Sequence, residues 1–288
     1  MKPLVELANE YDANSRKGIP KTKKASSIRL YYEIELFCFR DVKKYESVKE
    51  RYIRDKNEGI KRIESLEHLG RRKQFAEAKK LIECLNDEVG ENYDLTVACG
   101  IWETDITLLS ILAENLDEFD KLIVDCGCGT GLDLNALASL FSDKEFIGYD
   151  ISTKQIDAAK KRTSRSGNKN VGLFVGNHRD NFFPLEPNSV DVMYFKHATW
   201  EEEFIPGYME EIRKDKSAMF RLMQSRYKNA RTLLKDDGTL VLMGMINLPL
   251  DKCRFVGSLM PGFKRTNSIF LDGHEGITYY IASYQKLN

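Results

Sequence analysis

Nine residues near the middle of the chain, DCGCGTGLD from Asp125 to Asp133, combine two thiols, two carboxylates and three glycines. Cys126 and Cys128 could hold a metal, form a redox pair, or be small residues in a nucleotide loop. A metal site built on two cysteines needs two further ligands of suitable geometry, and no second CxC, CxxC or His pair lies nearby. A redox pair normally has CxxC spacing in a thioredoxin-like setting. Gly127, Gly129 and Gly131 let the backbone turn tightly and let a ligand lie against it. Their spacing is GxGxG; a dinucleotide fingerprint starting at Gly127 would need glycine where Leu132 stands. No lysine follows to make a GxxxxGK[ST] phosphate loop. The loop therefore suits a nucleoside-type ligand with no pyrophosphate to cradle. Asp150, about twenty residues further on, is placed to accept hydrogen bonds from ribose hydroxyls.

The elements around the loop set its context. KLIVDCG reads as a strand, DLNALASLF as a helix, EFIGYD as a second strand and TKQIDAAKKRTSR as a helix. VGLFVGN and SVDVMYFKH supply a third and fourth strand. A helical stretch from about Glu210 to Leu234 precedes a fifth, GTLVLMGMI. Short β-type runs alternating with helices imply βαβ units and a mostly parallel sheet. FKRTNSIFLDGHEGITYYIASYQK predicts two strands joined by a turn at Gly273–Gly276, an antiparallel pair on the sheet's edge. Before about Asn92, apolar residues at three- and four-residue spacings between charges predict amphipathic helices, with stops at Gly70 and Gly90. Arg16 to Arg29, basic with no acid and containing Gly18 and Pro20, reads as a mobile loop or arm.

Composition narrows the function classes. Lys+Arg and Asp+Glu balance at 44 each, which argues against a protein built mainly to coat nucleic acid or an anionic membrane. No apolar run approaches the roughly twenty residues of a spanning helix. The opening MKPLVELANEYDANSRKG lacks the apolar region of a secretory signal. Cys38, Cys84, Cys99 and Cys253 are scattered, unlike a disulfide framework. The expectation is a cytoplasmic protein with reduced thiols.

LIVDCGCGTG, GYDIS and DAAKKR resemble the first two motifs of class I S-adenosylmethionine-dependent methyltransferases, and DDGTLVLMG resembles their fifth-strand motif. The likeness runs from about residue 95 to 288. It implies a Rossmann-like, mostly parallel seven-stranded sheet with helices on both faces and an antiparallel hairpin. Residues 1–95 would be a helical extension or lid and 96–288 the core, with a helical insertion at about 198–234. The cofactor implied is S-adenosyl-L-methionine. Asp125 would stand near its methionine end, with Gly127, Cys128, Gly129 and Gly131 under the methionine and ribose. Asp150 would hold the ribose diol, with Ile151 against adenine. Many relatives end the third strand in Gly-Asp; here Gly176-Asn177 precedes His178. Asn177 can still accept the adenine hydrogen bond, and His178, just beyond the strand, would border that pocket. Small residues are common at the two cysteine positions, which favours that reading of them.

The resemblance directs substrate to the end of the fourth strand, YFKHATWEEEF. The Asn/Asp-Pro-Pro-aromatic motif of many nucleic-acid amino methyltransferases is missing there. His197 is the candidate base, since an imidazole pKa of roughly 6.5 suits proton removal near neutrality; capping the strand or bonding the cofactor is its alternative. Lys196 would either contact an acidic substrate or be exposed. Trp200 would stack on substrate or pack a lid, and Glu201–Glu203 would start a helix or attract an amine. Tyr31, Tyr32 and Trp102 would reach substrate or pack helices; His68 and His274 read as surface residues. The first reading is methyl transfer to O, N or C of a small-molecule metabolite. The alternatives are an RNA methyltransferase gripping phosphates with the basic arm, and a non-catalytic cofactor-binding partner subunit. The unpartnered helical extension leaves a homo-oligomer open.

Overall fold

The computed structural model describes residues 22–37, 42–92, 94, 102–177, 185–196, 204–246, 260–272 and 278–287. Among the described residues three α-helices come first: α1 (Lys23–Phe37), α2 (Val42–Ser65) and α3 (Arg71–Val89). α4 (Trp102–Asn115) leads into β1 (Leu122–Cys126). The alternating region follows as α5 (Leu132–Leu140), β2 (Glu145–Asp150), α6 (Thr153–Ser166), β3 (Val171–Val175) and β4 (Val190–Lys196). Three short helices, α7 (Tyr208–Lys214), α8 (Lys216–Arg226) and α9 (Lys228–Leu233), precede β5 (Leu234–Ile246), β6 (Phe263–Asp272) and β7 (Thr278–Lys286).

The strands form one sheet in the order β3-β2-β1-β4-β5-β7-β6. The β3-to-β5 part is parallel, while β7 runs antiparallel to both β5 and β6. The expected edge pair is therefore present. Residues 273–277, which hold the expected turn, lie outside the described residues.

Period-two alternation divides the core. Ile123, Val192, Val241 and Ile281 enter one apolar cluster with residues of α1, α4 and α5. Their neighbours Val124, Met193, Leu242 and Ala282 enter a second with Met219, Leu222, Met223 and Leu233 of α8 and α9. Successive strand side chains point to opposite faces, so each strand supplies both layers.

Two expectations change. The basic arm is helical from Lys23 onward, and residues 16–21 lie outside the described set. Ala25, Ile28, Tyr32 and Leu36 recur every three or four residues and are almost wholly buried. That stripe docks α1 on the core, which a count of charges alone conceals. Lys24 turns inward at its tip and donates to the Ala113 carbonyl at 2.8 Å. β5 also begins before GTLVLMGMI. KDDG is a bulged strand start in which the register to β4 shifts between Val190 and Val192. A Cβ on Gly238 would stand 3.0 Å from backbone atoms of Lys235 and Val190, so glycine permits the close approach.

Candidate functional site

β1 delivers the glycine loop to the carboxyl end of the sheet. Gly127, Gly129 and Gly131 all have positive φ (94°, 54° and 70°), conformations that glycine adopts without a Cβ penalty. Gly131 is also sterically bound, because a Cβ there would lie 2.9 Å from the Ala159 Cβ on α6. The loop's amides are occupied from within. Gly127 and Cys128 donate to the Tyr149 carbonyl at 2.8 and 2.9 Å, and Gly131 donates to the Cys128 carbonyl at 2.8 Å. Gly129 donates to Asp150 Oδ2 at 2.9 Å. A loop that spends these donors on its own strands is poorly suited to cradle phosphate and presents its backbone as a surface for close packing.

Asp150 ends β2 beside that surface. Its other oxygen accepts from the Ser152 amide at 2.9 Å. Burial pushes its pKa up, while the amides of Ser152, Gly129 and Ile151 pull it down by stabilising the anion. A carboxylate has about four acceptor positions, so these bonds orient Asp150 and leave it able to take ribose hydroxyls. Ser152 caps α6 by accepting from the Gln155 amide at 3.2 Å, and its own hydroxyl donates to Asp87 of α3 at 2.5 Å. Ile151 packs against a third apolar cluster formed by Ile63, Ala78, Leu81, Ile82 and Leu85 of α2 and α3 with Phe204 and Ile205.

Beneath the loop lies a buried polar network. Asp125 accepts from the Tyr194 hydroxyl at 2.8 Å. Burial and the Asp133 charge push the Asp125 pKa well above the usual carboxylate range. Lys196, at the end of β4, contacts Asp133 at 2.6 Å and Asp105 of α4 at 2.9 Å. Burial opposes its charge, but the two aspartates prevail and hold it protonated. Tyr32 of α1 donates to the other oxygen of Asp133. One lysine and two tyrosines thus serve three carboxyl groups. A cationic ammonium approaching Asp125 would favour its charged form.

A second tether crosses the loop from α6. Arg162 contacts Glu35 of α1 at 2.9 Å and also reaches Asp94 and the Thr130 carbonyl. Arg165 joins Glu35 as well. Burial works against the Glu35 carboxylate, but hydrogen bonds from Arg165 and Arg162 outweigh it and hold its pKa below the usual value.

The structure brings Asp125, Gly127, Cys128, Gly129, Gly131, Asp150 and Ile151 to one end of the sheet. Asn177 follows β3 at that same end, where Gly176 donates to the Asp150 carbonyl at 2.9 Å. Cys126 and Cys128 are buried free thiols, and burial pushes both pKa values up. Lys196 is neither an exposed residue nor an idle cation: it is nearly buried and paired twice. Tyr32 is wholly buried, so it meets Asp133 and not solvent. Tyr31 shares a hydrogen bond with Ser166 at 2.8 Å. His197, His178, Trp200, Glu201–Glu203 and His274 lie outside the described residues, as does the side chain of Trp102. Sequence reasoning missed Asp105, Asp133, Tyr194, Arg162 and Asp87. Asp133, Arg162 and Tyr194 stood in the stretches DCGCGTGLD, DAAKKR and YFKHATWEEEF without a role assigned to them; Asp105 and Asp87 carry no local signal.

The donor set fits S-adenosylmethionine: glycine backbone for close packing, a buried carboxyl for an ammonium group, and Asp150 for a diol. Residues 118–252 match a family described as a methyltransferase domain. No curated protein sequence matches the chain. Among solved structures, it is similar to a geranyl diphosphate methyltransferase in complex with GPP and sinefungin, at 12% identity over 69% of this chain and 85% of that one, with a TM-score of 0.47. It is also similar to TrmN from Thermus thermophilus, at 19% identity over 63% and 48% of the two chains, with a TM-score of 0.46. A third is an rRNA methylase from Streptococcus thermophilus, at 16% identity over 65% and 96%, with a TM-score of 0.42.

Proposed function

We propose that this chain, a class I S-adenosylmethionine-dependent methyltransferase by its 118–252 domain, transfers its methyl group to O, N or C of a small molecule. The observation that carries this reading is the third apolar cluster. It joins the α2–α3 helical pair, the start of the segment after β4 (Phe204 and Ile205) and Ile151, the residue beside the ribose acid. Around it, Arg71 of α3 contacts Glu211 of α7 at 3.0 Å, and Phe75 meets Tyr208 edge-on at 5.3 Å between centroids. Helices from two distant parts of the sequence thereby form one roof beside the cofactor loop. A roofed site excludes water and admits a compact acceptor more readily than a folded polynucleotide.

The bound cofactor supplies an activated methyl for in-line displacement. The chain's own residues do the remainder. Asp150 would hold the ribose, Ile151 and Asn177 would border the adenine, and Asp125 would take the amino group. The Lys196–Asp105–Asp133–Tyr32 network fixes the floor on which the reacting groups align, since small misplacements are costly in rate. His197 directly follows Lys196 and is the candidate base for an O or N nucleophile.

Titration with S-adenosylmethionine should give binding that Asp150→Ala reduces at least about tenfold, the value of one lost charge-assisted contact, with the fold unchanged. Undiminished affinity overturns the ribose assignment. The acceptor class is tested by incubating the protein and radiolabelled cofactor with a metabolite extract and, separately, with total RNA. Label in the small-molecule fraction supports the reading, and label in RNA alone overturns it.

A further inference from the structure

At the opposite end of the sheet, α8 and α9 meet the start of β5 and the end of β7 around an open cavity of about 760 Å³. Arg221, Lys228, Arg231 and Lys286 line it, with Gln224 and Ser225 among its polar groups, and among the described residues none that lines it is a carboxylate. That concentration of one sign stands out in a chain whose acids and bases are equal in number. Two of the four cations are compensated. Lys286 donates to Asn188 at 2.6 Å and the Leu234 carbonyl at 2.8 Å and lies 3.3 Å from Asp236. Arg221 lies 3.9 Å from the exposed Asp215. Among the described residues, Lys228 and Arg231 have no acidic partner.

The Arg231 side chain lies close over the backbone of Gly262. Gly262 has φ of 80°, and a Cβ there would come within 2.5 Å of the Arg231 Nε. Arg231 lies one helical turn from Lys228 on α9, so the two cations share one side of the helix. A planar guanidinium fork beside the point charge of a lysine matches the oxygens of a phosphoryl group. The volume is that of a nucleotide-sized site.

We propose that this cavity binds a phosphate-bearing small molecule, at a site separate from methyl transfer. The separation follows from topology. Lys286 closes β7, and its neighbour Gln285 pairs with Thr239 near the start of β5. The glycine loop lies at the far end of the parallel strands, roughly 20 Å away for strands of this length. The ligand is therefore not the methyl acceptor in transit.

The test is calorimetric titration of the full chain, with excess S-adenosylhomocysteine occupying the cofactor loop. The probes are pyrophosphate, uridine 5′-monophosphate and a short single-stranded RNA. Binding of pyrophosphate or the nucleotide is expected, weakening as salt is raised. Lys228→Gln with Arg231→Gln should weaken it by roughly tenfold or more, with S-adenosylmethionine affinity unchanged. Gly262→Ala, which displaces Arg231 without removing a charge, should weaken it in the same direction. Binding of neither small probe, equal binding by the double variant, or binding of RNA alone each overturns the proposal.

Discussion

The two halves of the sheet share one apolar core on each face but differ in the polar groups buried with it. On the glycine-loop side, the buried polar and charged residues include Glu35, Asp105, Asp125, Asp133, Asp150 and Arg162. Beyond Arg162, Arg226 is the one described residue in that buried polar class, and the β5–β7 half rests on Leu240, Leu242, Ile281 and Tyr284 packing across an antiparallel register. Apolar packing is forgiving of position and insensitive to pH. Buried charge costs desolvation and is stable only in one arrangement. The half that must position a reactive group adds the second kind to the first, and the half that supports it relies on the first.

Lys196→Met strikes hardest at this contrast. It leaves Asp105 and Asp133 without their cation, and a broken buried pair typically costs about 3–5 kcal/mol; urea unfolding should show the loss, together with weaker cofactor binding. Leu240→Ala, on the supporting half, should cost about 2–5 kcal/mol through transfer and cavity terms. Its unfolding free energy difference should stay constant from acid to neutral pH, and a pH-dependent difference would erase the distinction between the halves. Gly131→Ala should cost about 1–3 kcal/mol, because it meets Ala159 and demands a left-handed conformation, and cofactor affinity should fall with it.

Asp125→Asn gives the smallest effect and the opposite sign. Burial and Asp133 raise the folded pKa of Asp125, so the folded chain binds this proton more tightly than the unfolded one. Its contribution to stability is full below the unfolded pKa of about 3.9 and is lost as pH climbs through the folded value. The amide keeps the Tyr194 bond and removes the charge. At neutral pH the variant should melt about 2–4 °C higher, the shift expected for roughly 1 kcal/mol, while binding S-adenosylmethionine less well. A lower melting temperature would mean that the charge stabilises the empty site.

What could be read from the sequence follows the same division. β1, β2 and β4 are apolar runs closed by chemistry-bearing residues, so local pattern sufficed for them and for Asp125, the glycines and Asp150. The partners of Lys196 come from α4 and α5, and those of Arg162 from α1 and Asp94; such pairings are properties of the assembled fold and leave no periodic trace. The Lys23–Arg29 stretch misled because its charges drew attention from the Ala25–Ile28–Tyr32–Leu36 stripe. KDDG misled because a bulge uses turn residues inside a strand.

The strand order has a consequence for how the chain is made. β6 is synthesised before β7 yet, among the described strands, pairs with it alone at the sheet's outer edge, while β7 sits inboard against β5. β6 therefore has no place in the sheet until residues 278–286 have emerged and settled. In the interval it is an unpaired strand of ten residues, and edges of that kind invite pairing with other chains. The rate at which β7 docks on β5 sets how long the growing protein is exposed to that hazard.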